Sequence, residues 1–268
     1  MVLNDYRSAM DPILSAISKR FIGVHPNTLS AIAIFCAIAG GFTIWAAGEY
    51  NDNLLLLAFL FIVLNSLFDA MDGWVARSTG LASKQGDLVD HVLDRYADAF
   101  IFGGITFSAY CHFGVGIIAM MGVFFTSYMG TQAMALGLHR NYGGIMGRAD
   151  RLALLFGAML VQWGWVAYSG DASVATLDIA GNPYPLTILE IVMIIVAIGG
   201  NLTALQRASA AWKGLMEMDD ESEDKISYKG SDGVTVEVES EGDAQASEGE
   251  NDPPKSEGID PQKGPNIP

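Results

Sequence analysis

The sequence predicts an all-α membrane protein with six transmembrane helices, an N-terminal amphipathic helix in the membrane interface and a disordered acidic C-terminal tail. Three observations carry that reading. Of the 268 residues, 51% are hydrophobic and only 17% charged, and the mean hydropathy is +0.31. Apolar stretches long enough to cross a hydrocarbon core, which takes about 20 residues as a helix, recur six times along the chain. The Lys and Arg residues of the first 216 positions cluster at alternate connections between those stretches.

Taken in order, the chain opens with Pro12-Ile13-Leu14, Ile17, Phe21 and Ile22 interleaved with Ser18, Lys19 and Arg20. That alternation suits a helix lying flat at the membrane surface. His25-Pro26-Asn27-Thr28 then reads as a break followed by a helix cap. The expected spans are Leu29–Ala47, Leu54–Asp72, Leu88–Tyr110, Val115–Leu136, Leu152–Tyr168 and Leu186–Leu205. Lipid leaves no water to satisfy an unpaired backbone, so each must be helical throughout.

One set of connections carries Arg7, Lys19 and Arg20, then Arg77 and Lys84, then Arg140, Arg148 and Arg151, then Arg207 and Lys213, with Arg95 two turns into the third span. The other set, around Glu49–Asp52, Cys111–Gly114 and Ser169–Pro185, has no Lys or Arg. The excess of cations on cytoplasmic loops then places both termini in the cytoplasm and favours six spans over five or seven. Six spans occupy residues 1–215, and residues 216–268 form the tail. From Glu217 onward there are 16 acidic and 4 basic residues, which accounts for most of the net charge of −15. So acidic and apolar-poor a segment buries too little surface to offset its ordering entropy. Cys36 and Cys111 lie in apolar surroundings and suggest neither a disulfide framework nor a zinc site. Nucleic acid is not expected among the partners.

The chemistry concentrates at Asp69-Ala-Met-Asp72-Gly73-Trp-Val-Ala76-Arg77 and Gly86-Asp-Leu-Val-Asp90-His-Val-Leu-Asp94-Arg95. Carboxylates at the ends of membrane helices are costly unless hydrated, paired or metal-bound. Asp69 and Asp72 are three apart and share a helical face, as do Asp90 and Asp94, four apart. A short connection makes the two helices antiparallel neighbours, so the two acidic faces can meet just inside the cytoplasmic boundary. Four converging carboxylates repel one another and need cations. All-oxygen donors with no cysteine nearby point to Mg²⁺ or Mn²⁺. A pair of such ions suits displacement at phosphorus. Gly73 and Ala76 leave room for a ligand, and Arg77 offers a fork for phosphate oxygens. Asp87 is read as interfacial, and Asp98 as a partner of Arg95 behind the site.

These residues spell D-x2-D-G-x2-A-R-x8-G-x3-D-x3-D from Asp69 to Asp94. The stretch resembles, at every fixed position, the signature of the CDP-alcohol phosphotransferases. The resemblance implies that Asp69, Asp72 and Asp90 bind the metals, and that Asp94 touches a metal and acts as general base. It implies further that Asp69, Gly73, Ala76, Arg77 and Gly86 contact the CDP moiety, and that the protein is a homodimer. The implied reaction moves a lipid-phosphate group from a CDP-activated lipid to an alcohol and releases CMP. The donor is CDP-archaeol in an archaeon and CDP-diacylglycerol otherwise.

The acceptor is read from His139-Arg140 and Gly143-Gly144-Ile145-Met146-Gly147-Arg148-Ala149-Asp150-Arg151. Arg148 and Arg151 can share a helical face, and Arg140, Arg148 and Arg151 suit an acceptor that carries its own phosphate. The glycine-rich entry resembles the archaeal branch that uses inositol phosphate. The acceptor expected is therefore a polyol phosphate, inositol phosphate first and glycerol phosphate second. A reading of another class, an ion or proton transporter using intramembrane carboxylates, is weakened by the gathering of the acids at one boundary instead of mid-bilayer.

Overall fold

A computed structural model of the chain describes residues 7–139 and 143–231. It contains seven α-helices and a two-stranded hairpin. The order is α1 (Arg7–Ser18), α2 (Pro26–Glu49), α3 (Leu54–Thr79), α4 (Lys84–Thr106), α5 (Phe113–Ala135), α6 (Arg148–Ser169), β1 (Ser173–Ile179), β2 (Asn182–Thr187) and α7 (Ile188–Ser231). One compact unit runs to Asp219, and the described residues from Asp220 on are separate from it.

Local sequence explains the helix starts. Pro26 stands at the first position of α2, where its missing N–H costs nothing, and His25 Nδ1 caps that helix by accepting from Asn27 N at 3.2 Å. Ser83 Oγ accepts from Gly86 N at 3.1 Å and caps α4. Asp150 reaches back to accept from Gly147 N at 2.8 Å and starts α6.

Among the described residues, five helices, α2, α3, α5, α6 and α7, are long and apolar enough to cross a membrane. The remaining long helix, α4, carries Asp90, Asp94, Arg95 and Asp98. It also presents an outward stripe of Leu88, Val92, Tyr96 and Phe100, spaced one helical turn apart. Phe35, Phe42, Leu60, Ile118 and Ile198 likewise face out from their helices, a surface suited to lipid and not to water.

The interior is built around α2, which packs against both α3 and α4. Its core side includes Ala37 and Ile44, which join Ile62, Ile101, Ile105 and Leu155 in one apolar cluster. The sequence reading made α3 and α4 antiparallel neighbours whose acidic faces can meet. In the structure each lies much closer to α2 than to the other, and the gap this leaves is filled by the acidic side chains and a cavity. Gly41 shows how tightly α2 and α4 meet: a Cβ there would lie 2.0 Å from the Phe100 carbonyl oxygen. The small-residue stretch Ala37–Gly41 thus serves packing within the subunit, through close backbone approach. A second cluster of Leu29, Met71 and Val75 takes in Leu14 and Phe21, which ties the α1 region to α2 and α3 beside the site.

Two features depart from the sequence reading. The connection Ser169–Pro185 contains the hairpin, in which Ile179 pairs with Asn182. Ala180 (φ 53°) and Gly181 (φ 81°) form the turn, a two-residue turn whose positive φ values match strand twist. The alternation in this stretch is short and was masked by its Gly, Pro and Asp content. The other is the tail expected from residue 216, because α7 continues to Ser231. Glu, Lys and Met are good helix formers, and extending a formed helix needs no new nucleus. The rest of that expectation, residues 232–268, falls outside the described residues.

At the end of the bundle away from Asp69, Glu190 is fully buried and accepts from His112 Nδ1 at 2.8 Å and from the Tyr184 hydroxyl. These bonds hold the hairpin against α5. Cys36 and Cys111 are free and buried. Burial, with Glu190 nearby, pushes the Cys111 thiol up to about 12, so it stays protonated at neutral pH.

Replacing Gly41 by Val should force α2 from α4. The expected loss is about 1–3 kcal/mol or more, read as earlier thermal unfolding in detergent. Gly114→Ala, at a position with open space beyond the backbone, serves as the neutral control.

Candidate active site

The end of α3 and the start of α4 deliver the signature residues to one place. Oxygens of Asp69, Asp90 and Asp94 all lie within 4.8 Å of one another. Asp69 stands on α3 and the other two stand one turn apart on α4, so α2 must hold both helices for the group to exist. Asp72 is not within that tight group. Its side chain turns toward α2, where Oδ2 accepts from Ser30 Oγ at 2.5 Å, and the residue is 5% exposed. Asp72 and Asp90 both border two cavities, a large one on the solvent side and a small one beneath.

The large cavity, about 470 Å³, is lined by Asp72, Gly73, Ala76, Arg77, Gly86 and Asp90, with His25, Asn27 and Gln85. It is open to solvent on one side and of a size that suits a nucleotide-like ligand. Four of the five residues expected at the CDP moiety therefore line one cavity. Asp69 does not; it lies on the far side of Asp72 and Asp90, in the carboxylate group. Gly73 leaves room for the Arg77 guanidinium, which would come within 3.1 Å of an added Cβ.

On the other side of the carboxylates stands a group of arginines. Arg148 Nη1 donates to Asp69 Oδ2 at 3.1 Å and pairs with Asp94, and its Nε lies 3.5 Å from Asp98 Oδ1. Arg151 Nη2 is 3.6 Å from Asp98 Oδ2, and Arg95 Nη2 is 3.7 Å from the same oxygen. Asp98 and Arg151 are each 1% exposed. Three guanidinium groups thus surround one buried carboxylate, and Arg148 links them to the acid group. Arg207 closes the same side, donating to the carbonyls of Gly143 at 2.9 Å and Thr126 at 2.6 Å. The expected meeting of Asp98 with Arg95 and of Arg148 with Arg151 is present. Arg140 lies outside the described residues. Asp87 is largely exposed, as expected, at the mouth of the cavity.

The donor set fits a hard divalent cation: three carboxylates at ligand spacing, a fourth one turn away, and no sulfur or imidazole donor within the group. The arginines alone do not complete the charge balance on the cavity side, where Asp72 and Asp90 face open space.

A sequence model of the family described as CDP-alcohol phosphatidyltransferase matches residues 23–200. The chain belongs to that family. It is accordingly a phosphotransferase. Among its relatives, the archaetidylinositol phosphate synthase of Pyrococcus horikoshii is 29% identical over 161 residues, which cover 59% of this chain and 82% of that protein. The phosphatidylinositol phosphate synthase of Streptomyces avermitilis is 28% identical over 231 residues, covering 81% and 86%. Crystal structures of Mycobacterium tuberculosis phosphatidylinositol phosphate synthase share the fold. The form with CDP-DAG bound gives a TM-score of 0.58 at 22% identity over 75% of this chain and 94% of that one. The form with manganese and citrate gives 0.56 over 75% and 88%.

Sequence reasoning missed Ser30, whose only signal is its place one turn after the α2 cap. It also missed Arg207, which reads as an ordinary charge flanking the last span. Removing the central carboxylate from the arginine group should be costly. Asp98→Ala leaves buried guanidinium groups uncompensated, and the expected destabilisation is about 3–5 kcal/mol, seen as loss of folded protein or a lowered unfolding midpoint in detergent.

Proposed function

We propose that this enzyme transfers a lipid-phosphate group from a CDP-activated lipid to a hydroxyl of inositol phosphate, releasing CMP. The carrying observation is the pair Arg95 and Arg148 directly behind Asp94, each with part of its side chain accessible, backed by Arg151 buried on Asp98. An acceptor with its own phosphate finds cationic forks there, with its hydroxyl directed toward Asp94 and the cavity beyond. Both relatives named above make inositol phosphate lipids, which supports this choice over glycerol phosphate.

In this reading the cavity holds the CDP part of the donor, with Gly73, Ala76 and Gly86 giving the backbone room and Arg77 meeting phosphate oxygens. Asp69, Asp72, Asp90 and Asp94 hold Mg²⁺ or Mn²⁺, which when bound offsets the charge of the diphosphate. Asp94 accepts the proton of the attacking hydroxyl. The hydroxyl oxygen bonds to the phosphorus carrying the lipid, the bond to the bridging oxygen breaks, and CMP departs with that oxygen. Arg148 orients the acceptor phosphate and keeps Asp94 in place.

We further read α4 as a sixth span, with its charges turned inward and its apolar stripe toward lipid. The cation distribution then puts the site and both ends of the six-span body, residues 1–215, on the cytoplasmic side of the cell membrane, with α1 at the interface. The tail from 216 is read as a hydrated appendage. The assembly is read as a homodimer.

Asp94→Asn should lower CMP release by roughly 10²–10⁴-fold while CDP-lipid binding persists; an active variant rejects Asp94 as the base. With CDP-lipid, metal and a panel of inositol phosphate, glycerol phosphate, serine and inositol, mass spectrometry of the product lipid should show inositol phosphate as the preferred acceptor. Preference for glycerol phosphate overturns that choice, and ion flux in liposomes without CMP release overturns the enzyme reading.

A further inference from the structure

One turn before Asp69 on α3, Asn65 is 1% exposed. A carboxamide so deep in an apolar helix needs partners for both ends. Its Nδ2 donates to the Ala33 carbonyl of α2 at 2.9 Å, which fixes which end of the amide faces which way. The other end, Oδ1, has no hydrogen-bond partner among the described residues. Asn65 borders the small cavity beneath the site, of about 10 Å³, together with Ser30, Asp69, Asp72 and Asp90. That space is close to the roughly 10–15 Å³ that one water molecule requires. Its walls offer several oxygen acceptors and one hydroxyl, the kind of polar lining that holds water instead of staying dry.

Three acceptors around so small a space share a requirement. Asn65 Oδ1, Asp69 and Asp90 can only accept, so nothing among them bonds directly to another. A water bonded to Oδ1 by one hydrogen has its second hydrogen free for a carboxylate oxygen. Carboxylates that ligate a metal are commonly fixed from behind by such bonds. Ser30 does this for Asp72 directly, through the 2.5 Å bond from its hydroxyl. No described residue does it for Asp69 on the α2 side.

We propose that Asn65 is a positioning residue for the carboxylate group: its Oδ1 anchors one buried water that donates to Asp69 or Asp90 and sets the direction of their oxygens. The inference rests on the metal-site reading above. Asn65 touches neither substrate nor metal; it acts through the water and the carboxylate.

Two substitutions separate this role from simple packing. Asn65→Leu keeps the branched shape at Cγ, removes the acceptor and places a methyl group at the small cavity. Asn65→Ala removes the side chain and leaves room for a second water that can stand in for Oδ1. Purified proteins in detergent micelles are titrated with Mn²⁺ alone, and bound metal is read by electron paramagnetic resonance; thermal unfolding without metal confirms folding. The expected result is Mn²⁺ affinity weakened roughly tenfold or more in Asn65→Leu and by less than about threefold in Asn65→Ala. Asn65→Leu binding within about threefold of the unmodified protein overturns the proposal, as does Asn65→Ala weakened as much as Asn65→Leu, which marks the Ala33 contact as the part that matters. Should Asn65→Leu fail to fold, Asn65→Val takes its place under the same criterion. If the unmodified protein itself binds no Mn²⁺, the metal-site reading fails first and the proposal falls with it. Binding by the unmodified protein with Asn65→Leu unaffected overturns the role of Asn65 alone.

Discussion

Like charges gathered where water is scarce must be matched by opposite ones, and here that need organises everything around it. Asp69, Asp90 and Asp94 place oxygens within 4.8 Å of one another at the meeting of α3 and α4. Coulomb repulsion at that range is several times stronger than in bulk water once the dielectric falls. On one flank the structure answers with Arg148, which reaches Asp69, Asp94 and Asp98 at once. On the cavity flank Asp72 and Asp90 border open space with no such arginine partner, and in the proposed reading a divalent ion and a diphosphate complete the site there. The same electrostatic demand thus separates a protein-compensated side from a ligand-compensated side, and the reaction is read as taking place between them.

Such a group persists only on a stiff frame. The frame is α2, against which both acid-bearing helices pack. The contact is close enough that Gly41 meets the backbone of α4 without any side chain between. α2 also contributes to the site itself, through Ser30 on Asp72 and the Ala33 carbonyl on Asn65. A helix that looks like an ordinary apolar span is therefore the part that keeps the two acidic faces within reach of each other. The far end of the bundle is closed by a different polar group, Glu190 with His112 and Tyr184, which pins the hairpin and leaves the two ends chemically unlike.

Much of this was legible in the sequence because membranes penalise charge so heavily. An Asp in a soluble helix carries little information, whereas Asp69, Asp72, Asp90 and Asp94 at membrane helix ends demand an explanation, and their spacing supplies it. The helices themselves followed from apolar runs of sufficient length. What stayed hidden depended on contacts between distant residues. Ser30, Asn65 and Arg207 look like a small polar residue, a misplaced amide and a flanking charge until the fold brings them within reach of Asp72, the Ala33 carbonyl and Gly143. The meeting of the α3 and α4 acidic faces was legible from the short connection, and Asp69 does reach Asp90 and Asp94; that α2 packs against both helices was not. The hairpin was missed because its strands are short and its turn residues resemble those of any loop. Arg151 was legible as a cation but not as a buried one, since only its pairing with Asp98 makes that depth tolerable.

The most direct test of the account is an anomalous difference map from crystals grown with Mn²⁺. The account predicts strong density bounded by Asp69, Asp90 and Asp94, extending toward Asp72 and the 470 Å³ cavity. Density at another place, or none at these carboxylates when the metal is saturating, would contradict it.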